Sequence, residues 1–222
     1  MKLEDFFRDI YTQTKVVVEE DRKIVIKCYN SSTSFKWYFI SPSFRNYPYT
    51  SDPLERMNRE INFFTYKWRD IKTPKIIDFD LDQTCLYREY VEGEEIKEVE
   101  HVEKLGKALK SIHEEGFVMG DTKVENFVIS DGKVTVIDAE QAINSIDISY
   151  RSWDLLVLSF SLAYVYLKDP LTFGKAINSL FSSYGLSKKE AEELLGLKSI
   201  GLVSLMPFLH FTTFRKVVEK YL

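Results

Sequence analysis

"GDTKVENFVISDGKVTVIDAEQA", residues 120–142, sets Asp121, Lys123 and Asn126 in one turn and Asp138 at the end of a strand. Between them, residues 127–130 and 133–137 read as two short strands joined by Asp131 and Gly132, a strong two-residue hairpin signal. The hairpin brings Asn126 and Asp138 near each other, as two ligands of one metal site require. An acid, a lysine and an amide at this spacing, followed by a second acid on the paired strand, are parts of a machine that moves a phosphoryl group.

The remaining parts of such a machine lie upstream. Phosphoryl transfer from ATP also needs a lysine on the phosphates and an acid that holds that lysine. Residues 14–19 and 24–29 are rich in valine and isoleucine and flank the polar segment 20–23, the pattern of an antiparallel hairpin. Lys27, in "IVIKCY", stands near the end of its second strand. Met57, Ile61, Phe64 and Trp68 recur at helical spacing over residues 54–68, with Asp52 as cap, and this helix carries Glu60 in "MNREINFF". Residues 75–79 and 84–90 read as two further strands.

After Gly93 the pattern turns helical. Val102, Leu105, Leu109 and Ile112 line one face of a helix that Gly116 ends. Residues 153–167 are apolar on nearly all sides, the mark of a buried central helix, and amphipathic helices follow to Leu222. The expected fold is α+β in two lobes: a small β-rich lobe with one helix, residues 1–91, and a reduced helical lobe, residues 92–222, together one catalytic unit.

Composition narrows the function classes. The chain has 222 residues, 45% of them hydrophobic, enough to bury a sizeable core. A net charge of −4 argues against coating nucleic acid by charge alone. The longest uncharged apolar run, residues 155–167, is too short to span a bilayer, and the start, MKLEDFFRDI, lacks the apolar core of a secretory signal. Two cysteines, Cys28 and Cys85, lack metal-ligand spacing and are too few for a disulfide framework, so a reducing compartment, the cytoplasm, is expected. High charge content with only three glutamines leans toward a thermophilic source.

With these parts in order, the chain resembles the protein-kinase superfamily. "IVIK" looks like the strand-three lysine motif, Glu60 its helix partner, and "LYREYVEG" the hinge that meets adenine through backbone near Glu89 and Val91. "MGDTKVEN" is similar to the catalytic loop, and "IDAE" stands where the metal-binding triplet stands. The resemblance implies ATP and Mg2+ as cofactors. It also implies Lys27 on the phosphates, Asp121 as base, Lys123 against the transferred phosphoryl group, and Asn126 and Asp138 on the metal. Within the superfamily, "IHEEGFVMGD", "NFVISDGKVTVID" and "RSWDLLVLSF" are similar to the small atypical kinases: RIO-type proteins, the KEOPS-complex kinase and the bacterial heptose kinases. Asp154 of the last motif would brace the catalytic loop.

Departures from the superfamily pattern accompany these matches. No glycine precedes Gly93, so a glycine-rich loop over the phosphates is absent. Met119 replaces a histidine, Ala139 and Glu140 replace Phe and Gly, and Arg88 takes the place of an apolar gatekeeper. Only sixteen positions separate Asp138 from Asp154, too few for a phosphorylated activation segment with its peptide-docking floor.

The acceptor is the open question. Phe35, Trp37, Tyr38, Phe39, Phe44, Tyr47 and Tyr49 crowd an acid-free stretch with Lys36 and Arg45. They read either as packing of an insertion or as an RNA surface, on which rings stack with bases while cations hold phosphates. On the second reading Lys36, Trp37, Arg45 and Tyr47 bind the substrate. The build is similar to the archaeal RNA kinase, which implies an internal ribose 2′-hydroxyl of tRNA as first acceptor. A protein serine or threonine, or an ATPase switch of RIO or KEOPS type, is second; a heptose-like sugar is third.

Overall fold

The computed structural model describes residues 13–19, 22–29 and 47–222. Its first part is a four-stranded antiparallel sheet in the order β1-β2-β4-β3, formed by β1 (Thr14–Glu19), β2 (Arg22–Cys28), β3 (Ile76–Asp80) and β4 (Cys85–Glu89). Side chains alternate across a strand. Val25 and Lys27 are therefore buried on one face of β2, with Tyr29 just beyond it. The strand period thus points a lysine inward, where it must find acids.

Helix α1 (Pro53–Thr65) crosses behind this sheet. Asp52 caps it by accepting from Glu55 N, and Pro53 opens its first turn, where a missing N–H is harmless. Met57 and Phe64 are buried as their spacing predicts, but so are Arg56 and Glu60. A helix that buries two charged side chains must have partners waiting for both.

The cysteines correct an expectation. Cys28 faces Cys85 across the β2–β4 ladder, and the two form a disulfide. Their 57-residue separation hides an adjacency that only strand pairing creates. The cysteine argument for a reducing compartment falls with it.

Beyond β4 the chain is mostly helical. Helix α2 (Val99–Glu114) buries Val102, Leu105, Leu109 and Ile112. The short β6 (Phe117–Val118) pairs with β9 (Ile143–Asn144). β7 (Phe127–Ser130) and β8 (Lys133–Val136) form the expected hairpin, and two-residue β5 (Glu94–Glu95) adds to β7. Asp131 and Gly132 both take positive φ, 49° and 74°, the pair that a tight turn of this hand demands.

Helix α3 (Ile148–Val165) runs through the core and is apolar on almost every side. Around it lie α4 (Pro170–Tyr184), α5 (Lys188–Leu194), α6 (Ile200–Val203) and α7 (Phe208–Val218). An antiparallel sheet with one helix, followed by a helical part, is the α+β arrangement expected from the sequence. Among the described residues, no helix is long and apolar enough to cross a membrane.

Candidate active site

Lys27 is the centre of the site. Its Nζ lies 2.5 Å from Glu60 Oε2, 3.0 Å from Asp138 Oδ2 and 3.3 Å from Glu140 Oε2. Burial by itself would lower the pKa of this ammonium, but Asp138, Glu60 and Glu140 outweigh it and hold the group above the ordinary lysine value. Lys27 is therefore charged throughout the working range. Glu60 is buried on α1 and also accepts from Tyr29 Oη at 2.6 Å. Burial pushes its carboxyl up, to about 7, against the opposing pull of Lys27.

The turn that carries Asp121 is shaped from below by α3. Asp154, fully buried, accepts from Met119 N at 2.7 Å and Gly120 N at 2.6 Å, while its backbone oxygen accepts from the Thr122 hydroxyl. Gly120 takes φ 72°, and a β-carbon there would fall inside the ring of Tyr47. Glycine is thus required twice over, by conformation and by space.

Asp121 and Lys123 form a pair at the rim, with Lys123 Nζ 2.9 Å from Asp121 Oδ1. Burial opposes the Lys123 charge, and Asp121 overrides it and raises the pKa. Asn126 Nδ2 donates to Asp121 O at 2.7 Å, which leaves its side-chain oxygen as the atom for a cation. Ile137 N donates to Asn126 O at 2.9 Å, so the backbone holds Asn126 beside the segment after β8 that carries Asp138. A carboxylate and an amide oxygen on neighbouring strand ends fit a hard divalent cation such as Mg2+. Oxygens of Glu60, Asp138 and Glu140 also gather within 4.8 Å of one another, but Lys27 Nζ reaches all three and supplies the positive charge there.

Two cavities flank these groups. One of about 640 Å³ is lined by Val91, Gly93, Ile96, Val124, Phe127 and Ile137, a mainly apolar slot at the junction of the lobes. The second, about 560 Å³, opens on Asp121 and Lys123 and is walled by Trp153, Phe160, Tyr164 and Leu205. The Asp121–Lys123 pair lines the second and Val124 the first, so a short turn spans both.

Sequence expectation and structure diverge at several residues. Val91 lines the first cavity, but Glu89 does not: its carboxylate accepts from Lys75 N at 3.0 Å, and its own N–H donates to Lys75 O. Tyr47, read either as packing or as part of an RNA face, is 3% exposed and donates to Gln141 O at 2.8 Å, as packing requires. Its neighbour Tyr49 donates to Gly120 O at 2.6 Å. This end of the aromatic run packs against the turn that bears Asp121, while Lys36, Trp37 and Arg45 lie outside the described residues.

Arg56, Glu140 and Tyr29 were missed as participants. Arg56 stands one helical turn before Glu60, a spacing that puts both on one face, and this was the only signal for it. Arg88 is buried and donates to the backbone oxygen of Ile137, a residue of the first cavity's lining, at 2.9 Å.

No family model matches the chain. It is 30% identical over 152 residues to a protein of Methanococcus maripaludis described as a probable bifunctional tRNA threonylcarbamoyladenosine biosynthesis protein, covering 64% of this chain and 28% of that one. It is 31% identical over 80 residues to the KEOPS complex subunit Bud32 of Pyrococcus abyssi, covering 31% and 36%. Among solved structures, WaaP in a complex with acyl carrier protein aligns with 94% of this chain and 85% of its own at TM-score 0.46 and 13% identity.

In sequence the chain is thus similar to Bud32/KEOPS-type atypical kinases. Its homologues are the Bud32/KEOPS-type proteins of tRNA threonylcarbamoyladenosine biosynthesis. The matched segments span roughly a quarter to a third of the length of these curated relatives.

Proposed function

We propose that the chain is an ATP-dependent phosphotransferase of the KEOPS type whose acceptor is a hydroxyl, first of all an internal ribose 2′-hydroxyl of tRNA. The observation that carries the reading is the Lys27–Glu60 pair at 2.5 Å, within 3.0 Å of Asp138, on a site whose far side presents Asp121 and Lys123. The relatives' named role in tRNA modification supports tRNA as the partner, and tRNA as partner implies the cytoplasm.

In this mechanism adenine occupies the slot at Val91, Phe127 and Ile137, and Lys27, steadied by Glu60, binds the inner phosphates. Asp138 and the Asn126 oxygen would hold Mg2+, which neutralises phosphate charge when bound. Asp121 orients the acceptor hydroxyl and takes its proton as the new O–P bond forms. The bond from the γ-phosphorus to its bridging oxygen breaks, and ADP leaves. Lys123 meets the charge on the phosphoryl group in transit. The rate gain is mainly positional and electrostatic.

One observation favours a second reading, a protein serine or threonine acceptor. The cavity at Asp121 is walled mostly by apolar and aromatic side chains, with Lys123 as its lysine. Protein incubated with γ-labelled ATP and Mg2+, and offered tRNA, a protein extract or nothing, separates the readings, with Asp121→Asn as control. Label at an internal tRNA nucleotide supports the first, label in protein the second. Phosphate release alone makes the chain an ATPase, and no turnover or binding of ATP overturns both.

A further inference from the structure

Two charged side chains buried in the site have no part in the mechanism above. Arg56 is 0% and Glu140 2% exposed, and Arg56 Nη2 lies 2.7 Å from Glu140 Oε2. They come from different elements. Arg56 sits on α1 one turn before Glu60, and Glu140 follows Asp138 by two residues in the segment after β8.

The same Glu140 oxygen accepts from Gln13 Nε2 at 2.6 Å, at the entry to β1, and lies 3.3 Å from Lys27 Nζ. The Arg56 guanidinium also stands 5.6 Å from the ring centre of Tyr29, whose hydroxyl donates to Glu60. Arg56, Glu140, Lys27, Glu60 and Tyr29 therefore close a ring of contacts. Helix α1 is fastened to the Asp138 segment through two charge pairs, and only one of them uses Lys27.

A buried ion pair is weak evidence for stability, because desolvation offsets most of its attraction; its best-attested use is to fix one arrangement against others. The arrangement fixed here is the approach of α1 to Asp138. With only sixteen positions between Asp138 and Asp154, the chain lacks the segment whose phosphorylation would order that approach from outside.

We propose that Arg56 and Glu140 are positioning residues, a permanent clamp that seats α1 so that Glu60 holds Lys27 toward the phosphates and away from Glu140. The proposal rests on the phosphotransferase reading. It goes beyond it in assigning these two residues and in making the seated helix the resting state. Without Arg56, Lys27 is the nearest cation to Glu140 among the described residues, and the lysine is drawn from the phosphates. Without the Glu140 charge, α1 loses the Arg56 ion pair to that segment and keeps the contact through Lys27 and the hydrogen bonds of Arg59 to Gln141 and Asn62 to Asn144.

The test has one arm that needs no activity and one that does. In hydrogen exchange of the full chain, Glu140→Gln should speed amide exchange in residues 53–65 by about tenfold or more, with residues 148–165 unchanged. In turnover, Arg56→Met and Glu140→Gln should each lower kcat by about tenfold or more and raise KM for ATP. The double variant Arg56→Met/Glu140→Met should lose little beyond either single, the mark of residues acting as one unit. That double replaces both charges with apolar groups of similar length, so it keeps the test open if a single variant fails to fold.

Unchanged exchange in residues 53–65, or losses that multiply in the double variant, overturns the clamp. If wild type neither binds nor turns over ATP while the exchange result holds, the functional reading fails and the clamp stands as a structural lock.

Discussion

His113 Nε2 lies 3.0 Å from Asp154 Oδ2, with both side chains sealed from solvent. The other ring nitrogen of His113 is 2.8 Å from the Tyr184 hydroxyl, which in turn donates to Glu190. Since an ionised carboxylate only accepts, the Asp154-facing nitrogen carries hydrogen. Asp154 thus takes one hydrogen bond from α2 and two from the turn before Asp121. Helix α3 locks the turn in place, and His113 orients the lock.

Asp154→Ala should be among the most damaging single changes. It strands two buried N–H groups and a histidine, so a loss of about 2–4 kcal/mol is expected, read by thermal or urea melting. Where the variant remains folded, kcat should fall sharply with nucleotide affinity nearly intact, because the slot at Val91 and Ile137 is built from other elements. Equal loss of both would assign Asp154 to the whole lobe instead.

Asp121→Asn keeps shape and removes the proton acceptor. Transfer should drop by about 100-fold or more while ATP binding, followed by calorimetry, stays within about twofold. Wild-type turnover in this variant would remove Asp121 from the mechanism.

Gly120→Ala should cost about 2–5 kcal/mol, combining a left-handed backbone with overpacking against a ring whose hydroxyl is held by Gln141 O. Adding Tyr47→Ala should recover part of the loss by making room. Additive losses in the melting curves of the pair would mean that backbone strain, and not the ring, dominates.

Glu60 predicts a pH signature. Its carboxyl is raised by burial to about 7 from an unfolded value of 4.5, so between these values the folded state holds a proton that the unfolded state has released. The resulting stability is fully present below about pH 4.5 and lost as pH rises through about 7. Melting of metal-free wild type should therefore fall relative to Glu60→Gln by about 3 kcal/mol over that window. Turnover should move the other way, rising through about pH 7 as Glu60 ionises against Lys27. Parallel melting curves for the two proteins across pH 5–8 would refute the assignment.

What sequence revealed and what it concealed follow from the range of the forces involved. The Asp131-Gly132 turn, the Asp52 cap and the faces of α1 and α2 were legible because each rests on neighbours within a few residues. The β3 and β4 strands were located to within a residue. The Cys28–Cys85 bond and the seat of Tyr47 depend on which distant segments meet, and no local pattern reports that. For Tyr47 the acid-free aromatic stretch left packing and an open RNA face both possible, and only the fold shows its hydroxyl donating to the backbone oxygen of residue 141. At the site, the order of Lys27, Glu60, Asp121, Asn126 and Asp138 could be read along the chain. The role of Glu140 could not, since its partners come from three separate elements.

The Asp154 contacts also bear on how this protein is made. The turn at Gly120 leaves the ribosome 34 residues ahead of the carboxylate that gives it its shape. A nascent chain that has exposed Lys27, Glu60, Asp121 and Asn126 still lacks a formed catalytic turn, and must wait for α3 to emerge and dock. A formed turn therefore arrives in one step, once α3 has followed it out and docked.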